Sequence, residues 1–344
     1  MAYTTINKST DHFNTKLYTG NGSTQSITGV GFQPDFTWIK SRNDTNSHFL
    51  FDAVRGATKL INSNTTNAES TQADTLTSFD SDGFSLGDGT GVNGSSDTEA
   101  SWNWKAGGGQ GSSNTDGTIN TTYTSVNTTA GFSISKYTGN AIDGATIGHG
   151  LGVVPQTIWI KRLSSADGMI CYHHSLGNTT AVKFDRTDYS TGNFWQSTTP
   201  TNQVVTVSGS TENNYTSNDY VMYAFAPKQG FSKFGKYTGN GNADGPFIYT
   251  GFKPAFVIIK DISQTRSWIM VDNKRNTFNV VNNRLFCDAA DAQNTAVDAL
   301  DFLSNGFKIR SDNSSVNVSG NNYIYMCFAE VPLVGTNNVP ATAR

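Results

Sequence analysis

A five-residue segment that occurs three times constrains this chain more than any other feature of its sequence. LYTGN stands at 17–21, and KYTGN stands at 136–140 and again at 236–240. Each is followed by an apolar run that contains a proline and ends in lysine: GFQPDFTWIK at 31–40, GVVPQTIWIK at 152–161 and GFKPAFVIIK at 251–260. Such long-period recurrence is typical of a chain built from homologous units. The sequence therefore predicts three copies of one fold.

Further positions match between the copies. The repeat positions are the tyrosines Tyr18, Tyr137 and Tyr237, the prolines Pro34, Pro155 and Pro254, and the lysines Lys40, Lys161 and Lys260. Twelve residues after each lysine stands Asp52, His173 or Asp272. Arginine follows each aspartate by three residues, as Arg55 and Arg275, whereas Leu176 follows His173. This covariation favours a structural Asp–Arg pair over a ligand site.

Residue usage indicates an all-β protein. Charged residues make up only 15% of the chain and aromatic residues 12%, and β-branched and aromatic runs are interrupted by Gly, Asn and Asp. Copies of roughly 100 residues with a turn about every 8 to 12 residues are typical of antiparallel sandwiches. We therefore expect three tandem antiparallel β-sandwich repeat domains of the jelly-roll or lectin-like kind.

The repeat also predicts the domain boundaries. The expected segments are an N-terminal arm (1–12), copy one (13–107), a flexible linker rich in Gly, Ser, Asn and Thr (108–130), copy two (131–229), copy three (230–334) and a C-terminal arm (335–344). Copies two and three are joined without a long linker, so we expect them to pack as a stiffer pair.

Charge and hydropathy argue against several classes of partner. The net charge is −3 and no run of Lys or Arg is present, so we expect no nucleic-acid binding. No apolar run approaches the roughly 20 residues of a membrane helix, and the N-terminus lacks a secretory signal, so we expect no membrane insertion. Cys171, Cys287 and Cys327 lack metal-ligand spacing. They are predicted to be buried reduced thiols of a protein made in a reducing cytoplasm.

The motifs of common enzyme classes do not occur, so we predict no catalytic residues, no cofactor and no enzyme activity. The acidic segment that begins at Asp80 and contains Asp82 and Asp88 resembles the start of a calcium loop. Gly91 stands where such a loop needs its glutamate, which favours ordinary turn chemistry over calcium. The adjacent His173 and His174 have no histidine counterpart in the other copies, which favours a solvated pair at a strand end over a metal site.

One loop of copy two is the best candidate for a recognition surface. Phe194 and Trp195 lie in the polar sequence STGNFWQSTTPTN, which has no counterpart in the other copies. Aromatic side chains in an Asn/Thr/Gln loop suit either a sugar-stacking platform or an anchor in a protein interface. The other tryptophans stand in strands of the repeat and are expected in the core.

Copy one also carries a family resemblance. Its segments FNTKLYTGNG, ITGVGFQPDFTWIKSRN, HFLFDAVRG, SFDSDGFSLG and WNWKAGGG resemble a repeat domain of marine bacteriophage virion proteins, often described as tail-fibre or concanavalin-like β-sandwich proteins. The later copies look like diverged forms of the same domain.

The resemblance implies a non-enzymatic virion structural protein, assembled in the bacterial host cytoplasm. A tail-fibre or receptor-binding component is the leading hypothesis, and a capsid-decoration or head-fibre protein is the alternative. Expected partners are other tail or capsid proteins, a host cell-surface glycan and further copies of the chain, with a homotrimer favoured. The N-terminal arm is expected to dock on the virion. A free lectin or a carbohydrate-active enzyme is the competing class.

Overall fold

The computed structural model describes residues 3–334 and 340–342. It confirms that the chain is nearly all β, with 41% of residues in strands and 2% in helices. The paired strands form several antiparallel sheets. This agrees with the β-branched and aromatic runs between turn residues, which fit pleated surfaces better than helices. Among the described residues, the helical segments are a 3₁₀ turn at Ser9–Asp11 and α1 at Thr90–Asn93.

The strands follow the chain in three groups. The first group is β1 (Phe13–Thr19), β2 (Gln25–Thr28), β3 (Phe36–Ser41), β4 (Phe49–Asp52), β5 (Lys59–Leu60), β6 (Ser70–Thr71), β7 (Leu76–Asp80), β8 (Gly83–Leu86) and β9 (Thr98–Trp104). The second group is β10 (Tyr123–Asn127), β11 (Phe132–Thr138), β12 (Ala145–Gly148), β13 (Thr157–Arg162), β14 (Ile170–His173), β15 (Thr180–Lys183), β16 (Tyr189–Thr191), β17 (Val204–Val207) and β18 (Asp219–Phe225). The third group is β19 (Ser232–Thr238), β20 (Phe247–Tyr249), β21 (Phe252–Asp261), β22 (Ile269–Asp272), β23 (Leu285–Phe286), β24 (Leu300–Leu303), β25 (Gly306–Ile309) and β26 (Asn322–Pro332).

Three large sheets contain the same order of four strands, and two of them have additional strands at their edges. The orders are β1-β9-β3-β4, β10-β11-β18-β13-β14-β15-β16 and β19-β26-β21-β22-β23. In each sheet the last strand of the copy lies between the strand that carries the repeated tyrosine and the strand that ends near the repeated lysine. Smaller sheets accompany them, with the orders β2-β8-β7, β12-β17 and β20-β25-β24, and a further pair is formed by β5 and β6.

The three repeated prolines are buried. Each lies near the start of the strand that carries the repeated lysine, which is β3, β13 or β21. Pro34 and Pro155 precede β3 and β13, where no ladder N–H is lost. Pro254 lies within β21, and the pairing of β21 with β26 is irregular on both sides of it. The irregularity accommodates a residue that has no N–H to donate.

The main hydrophobic core is shared between the copies. Aromatic rings from different large sheets contact each other: the ring centroids of Phe36 and Trp159 are 6.2 Å apart, those of Trp104 and Phe328 are 5.6 Å apart, and those of Phe225 and Phe328 are 5.9 Å apart. One apolar cluster contains all five of these residues. One smaller cluster lies within copy one, and another consists of residues of copy two together with Ile119 of the preceding segment. The copies are therefore joined through their large sheets and not only through their linkers.

Part of the predicted flexible linker, 108–130, is ordered as a strand, which corrects that prediction. β10 (Tyr123–Asn127) pairs with β11 at the edge of the largest sheet. Thr124 and Ser125 are buried there, because small β-branched and hydroxyl side chains fit under a sheet edge despite their polarity. At the other end of the segment, the backbone N–H groups of Gly108 and Gly109 donate to the carboxylate of Asp35.

The N-terminal segment lies on copy three of its own chain and on the last residue of copy two. Tyr3 donates from its hydroxyl to the carbonyl of Gly251 at 2.6 Å, and Thr4 donates to the carbonyl of Gln229 at 2.6 Å. Ile6 is buried in the shared core. Residues 3–12 are thus not the free docking arm that the sequence predicts, because their apolar side chain and hydrogen bonds are used within the molecule. Most of the predicted C-terminal arm lies outside the described residues.

Candidate functional site

The repeated tyrosine and asparagine fasten each copy's first repeat strand to the loop before its last strand. The tyrosine hydroxyls donate to carbonyl oxygens at 2.6 to 2.7 Å: Tyr18 to Val92, Tyr137 to Asn213 and Tyr237 to Val316. Burial raises the pKa of all three tyrosines well above 10, so the hydroxyls remain donors. The repeated segment therefore has a structural role in each copy.

Three buried asparagines complete this anchor, and the sequence prediction missed them. The side-chain oxygens of Asn93, Asn214 and Asn317 accept the backbone N–H of the last residue of each repeated segment. Each asparagine begins an Asn-x-Ser/Thr triplet whose last residue stands three positions before the closing strand. This shared spacing is the sequence signal from which the anchor can be recognised.

Both expected Asp–Arg pairs are present and buried. Nε of Arg55 contacts Oδ2 of Asp52, and Nε of Arg275 donates to Oδ2 of Asp272 at 2.5 Å. Burial alone disfavours the charge of Arg55, but the Asp52 carboxylate outweighs that effect and raises the pKa of Arg55. Each arginine also donates to a backbone carbonyl of the preceding strand. The pairs hold the end of β4 and of β22 in place.

The same aspartates join neighbouring copies. Asp52 of copy one accepts a 2.6 Å hydrogen bond from the hydroxyl of Tyr223 of copy two. Asp272 of copy three accepts a 3.1 Å hydrogen bond from Nε1 of Trp102 of copy one. Tyr223 and Trp102 occupy one equivalent position of the closing strands β18 and β9, as their registers opposite β13 and β3 show. In both contacts, the repeated aspartate of one copy accepts a hydrogen bond from the same closing-strand position of another copy.

Copy two also contacts a neighbouring copy from this repeated position, but through a histidine in place of the aspartate. The equivalent position of β26 in copy three is Met326, which has no N–H or O–H group to donate. The residue that faces β26 is His173, and its Nε2 lies 3.2 Å from the carbonyl oxygen of Tyr325. An aspartate at this place would be buried without a donor, which explains the exchange of the Asp–Arg pair for His173 and Leu176.

His173 is buried, which corrects its predicted position in a solvated pair at a strand end. Burial lowers the pKa of His173 to about 3, so the imidazole is neutral. Nε2 of His174 lies 3.1 Å from the carbonyl oxygen of Phe234 in copy three. Both histidines therefore serve the contact between copies two and three.

The repeated lysines are also buried, and two of them join copies. Lys161 donates to the carbonyl of Thr65 in copy one at 3.3 Å, and Lys260 donates to the carbonyl of Thr187 in copy two at 2.8 Å. Lys40 donates within its own copy. Burial lowers the pKa of each of these lysines to about 8. Their ammonium groups serve backbone carbonyls and are not presented to a ligand.

The sequence-predicted recognition loop borders a pocket in copy two, here called the loop pocket. Its volume is 480 Å³, and it lies between the turn after β11, the loop before β17 and the turn after β17. It is lined by Ala141, Asp143, Asn193, Phe194, Gln196, Ser208, Gly209 and Ser210. A pocket of this size is within the range of small-molecule sites.

Hydrogen bonds between the three loops hold the loop pocket open. Oδ1 of Asp143 accepts from Nε2 of Gln196 at 2.9 Å and from the backbone N–H of Gly209 at 2.7 Å. The backbone N–H of Ser208 donates to the carbonyl of Phe194 at 2.9 Å. The half-buried ring of Phe194 supplies an apolar face beside amide, hydroxyl and carboxylate groups. This combination suits a polar ligand with one apolar face, such as a sugar.

Trp195, in contrast, is fully buried, which corrects its predicted surface position. The loop turns at Gln196 and Ser197, which both have positive φ, and Trp195 points inward. Its ring meets Tyr172 edge-on at 5.5 Å within the core cluster of copy two. Burial of the large indole is favourable even in a polar loop, and only Phe194 of the two aromatic residues reaches the loop pocket.

The three calcium-ligand candidates lie in turns or beside them. Asp80 accepts hydrogen bonds from Ser78 and Ser85, and Asp82 accepts the backbone N–H groups of Gly29 and Gly31. The bonds from Gly29 and Gly31 lower the pKa of Asp82. Asp88 is exposed beside a separate pocket. Across residues 3–334 and 340–342, no three His, Cys, Asp or Glu side chains are grouped so that they would hold a metal.

The three cysteines are buried free thiols, as expected from their spacing. Burial raises the pKa of Cys171 to about 12, so its thiolate is strongly disfavoured. Burial likewise raises the pKa of Cys287 and of Cys327 well above 9. Within the described part of the chain, no helix is long and apolar enough to cross a bilayer.

Comparison with known proteins found one family. The sequence model of a family described as a domain of unknown function, DUF7483, matches residues 8–332. Neither the curated proteins nor the solved structures contain a match. The matched range includes the three large sheets and the loop pocket.

Proposed function

We propose that this chain, which belongs to the DUF7483 family, is a non-enzymatic structural protein of a bacteriophage virion that attaches the particle to the host surface. The observation that carries the proposal is the contrast between a repeated scaffold and the wall of the loop pocket that only copy two has. The repeated aspartates Asp52 and Asp272 serve contacts between copies. Three residues that line the loop pocket, Asn193, Phe194 and Gln196, lie in sequence that only copy two has. The resemblance of copy one to phage virion repeats supports the same role.

The proposal includes three tandem β-sandwich repeats of the lectin-like kind. Its support is the shared strand order of the three large sheets and the smaller sheet that accompanies each of them. The anchor between tyrosine and asparagine recurs in all three copies. Recurrent hydrogen bonds at equivalent positions are expected of duplicated domains and not of unrelated β segments.

A neutral sugar on the host surface is the proposed ligand of the loop pocket. Phe194 would stack against the sugar ring, and the polar groups around Asp143 would bind its hydroxyls. Binding of host-cell polysaccharide by the purified chain is expected to fall at least about tenfold in Phe194→Ala. Phe278→Ala is a matched control, because Phe278 is exposed in copy three, far along the chain from this pocket. Equal binding by all three proteins would contradict the role of the pocket.

Electron cryomicroscopy of intact particles tests the placement in the virion. Density for the three joined sheets at the tail would support the attachment role. Absence of the chain from purified particles, with the chain present in infected cells, would contradict a virion role altogether. Release of soluble sugar from host polysaccharide by the purified chain would instead favour the carbohydrate-active class.

Capsid decoration is the second candidate, and the shared core favours it. The large sheets already cover one another within a single chain, which differs from the long shaft expected of a fibre. A homotrimer therefore stays a prediction, and it would have to use the outer surfaces of the copies. Particle density on the head and not on the tail would select this candidate.

A further inference from the structure

A second cavity lies where the N-terminal segment meets copies two and three, and it is here called the cationic cleft. Its volume is 590 Å³. Tyr3 enters it from the N-terminal segment, His174 from copy two, and Lys233 and Tyr249 from copy three. Lys228 lines it from the short connection between the two copies. The cleft is therefore a product of how the segments close on one another and not of any single copy.

The charge of the cleft has one sign. Two lysines line it, beside a histidine, His174, whose pKa burial lowers, and no carboxylate of the described residues does. The ammonium group of half-buried Lys228 has no ion-pair or hydrogen-bond partner among the residues that the structure describes. Burial lowers the pKa of Lys228, which reflects the cost of leaving this charge without a counter-ion. An anionic ligand would supply the missing partner.

Lys233 and Tyr249 give the cleft a second kind of contact. Nζ of Lys233 donates to the backbone carbonyl of Tyr249 at 2.7 Å, and two of its N–H groups remain for another acceptor. The ring of Tyr249 is held 5.3 Å from that ammonium group, and the residue is 48% exposed. An exposed aromatic face beside fixed cations suits a ligand that has both an apolar ring face and an acidic group.

We propose that the cationic cleft binds an acidic sugar unit, with its carboxylate or phosphate at Lys228 and Lys233 and its ring on Tyr249. The proposal goes beyond the attachment role and stands whether or not the chain is a virion component. It also concerns a different ligand class and a different place from the neutral sugar of the loop pocket. Carboxylated and phosphorylated sugars share the chemistry that the cleft would recognise.

Calorimetric titration of the full chain tests the proposal. The probes are an oligosaccharide that contains glucuronic acid, a sugar-phosphate oligomer and a neutral glucose oligosaccharide of similar length. Binding of the first probe identifies carboxylate as the source of the negative charge, and binding of the second identifies phosphate. Lys228→Gln is expected to weaken the binding about tenfold, which equals about 1.4 kcal/mol.

Two control variants distinguish binding in the cationic cleft from non-specific electrostatic attraction of the acidic probes to the protein surface. Lys59→Gln removes the same charge in copy one, where that ammonium contacts Thr71, and is expected to leave the affinity unchanged. Phe194→Ala alters only the loop pocket and is also expected to have no effect here. Tyr249→Ala is expected to weaken the binding without any change of charge. Failure of both acidic probes to bind, or equal losses in Lys228→Gln and Lys59→Gln, would overturn the proposal.

Discussion

At the scale of single residues, the repeat shows where one copy departs from the others. Tyr137 pairs with Tyr220 and Tyr237 pairs with Tyr323 across neighbouring strands, and both pairs of rings are stacked. In copy one the equivalent partner of Tyr18 is Glu99, which is fully buried. Burial, helped by the charge of Asp97, raises the pKa of Glu99 to about 8. A tyrosine of the other copies is thus replaced by a carboxyl group that is costly to ionise.

Glu99→Gln is expected to make stability less sensitive to pH. The folded protein holds a proton on Glu99 that the unfolded chain loses above pH 4.5, so the Glu99 contribution to stability falls as pH rises from about 4.5 to about 8. The free energy of unfolding of the variant, relative to the parent, should therefore grow by at most about 1.4 kcal/mol per pH unit in that window. Urea unfolding at several pH values measures this difference.

Glu212→Gln is the control, because the pKa of Glu212 is shifted in the opposite direction to that of Glu99. Burial opposes the charge of Glu212, but the ion pair with Lys183 lowers its pKa overall. This variant should be less stable than the parent above pH 4.5, and the gap should close as pH falls. Parallel pH profiles for the parent and Glu99→Gln would contradict the prediction.

The buried Asp–Arg pair provides a second prediction at this scale. Asp52→Asn leaves the Arg55 charge buried without its partner and is expected to lower the free energy of unfolding by about 3–5 kcal/mol. The double variant Asp52→Asn/Arg55→Leu, which imitates the Leu176 of copy two, should lose less than the single variant. Chemical denaturation measures both. A double variant that is less stable than Asp52→Asn would show that the arginine does not depend on the aspartate.

At the scale of elements, the repeat predicts strand positions and faces well. The segment DFTWIK predicts alternation between two faces, and β3 places Trp38 in the shared core and Ile39 in the cluster of copy one. In each copy the first strand ends within the repeated segment, and the chain then turns. The anchor of this segment is harder to predict, because the partner asparagine lies more than 70 residues away and pairs only in the fold.

The turn of the repeated segment needs glycine for steric reasons. A Cβ on Gly139 would lie 2.4 Å from the carbonyl oxygen of Tyr215. Gly139→Ala is therefore expected to destabilise the protein by about 1–3 kcal/mol. Gly177→Ala is the comparison, because a Cβ there meets no atom within 4 Å and only its positive φ is strained. Thermal unfolding should rank Gly139→Ala as the more harmful change, and the reverse order would contradict the steric account.

At the scale of the whole molecule, the three copies close on one another. Contacts at the Asp52, His173 and Asp272 positions lead from copy one to two, from two to three and from three to one. The N-terminal segment also donates hydrogen bonds to copy three and to the last residue of copy two. Because aromatic side chains of all copies fill one core, we expect the chain to unfold in a single cooperative transition.

A single copy should not fold by itself. Residues 131–229 expressed alone would expose Trp159 and Phe225, which the full chain buries against the other copies. We expect this fragment to aggregate or to lack a cooperative thermal transition, in contrast to the full chain. Calorimetry and circular dichroism make the comparison. A soluble fragment that melts cooperatively would show that each copy has a sufficient core of its own.

The sequence alone predicts the all-β class and the positions that recur in the three copies, because strand periodicity and turn residues act over short distances along the chain. It also paired Asp52 with Arg55, since three residues separate them. The fold, and not the sequence pattern, shows that the copies share a core, that Trp195 is buried and that segments distant in the chain form the cationic cleft. A hydrophobic pattern shows that one face of a strand must be buried, but the packing of sheets that are distant in the sequence determines what buries it.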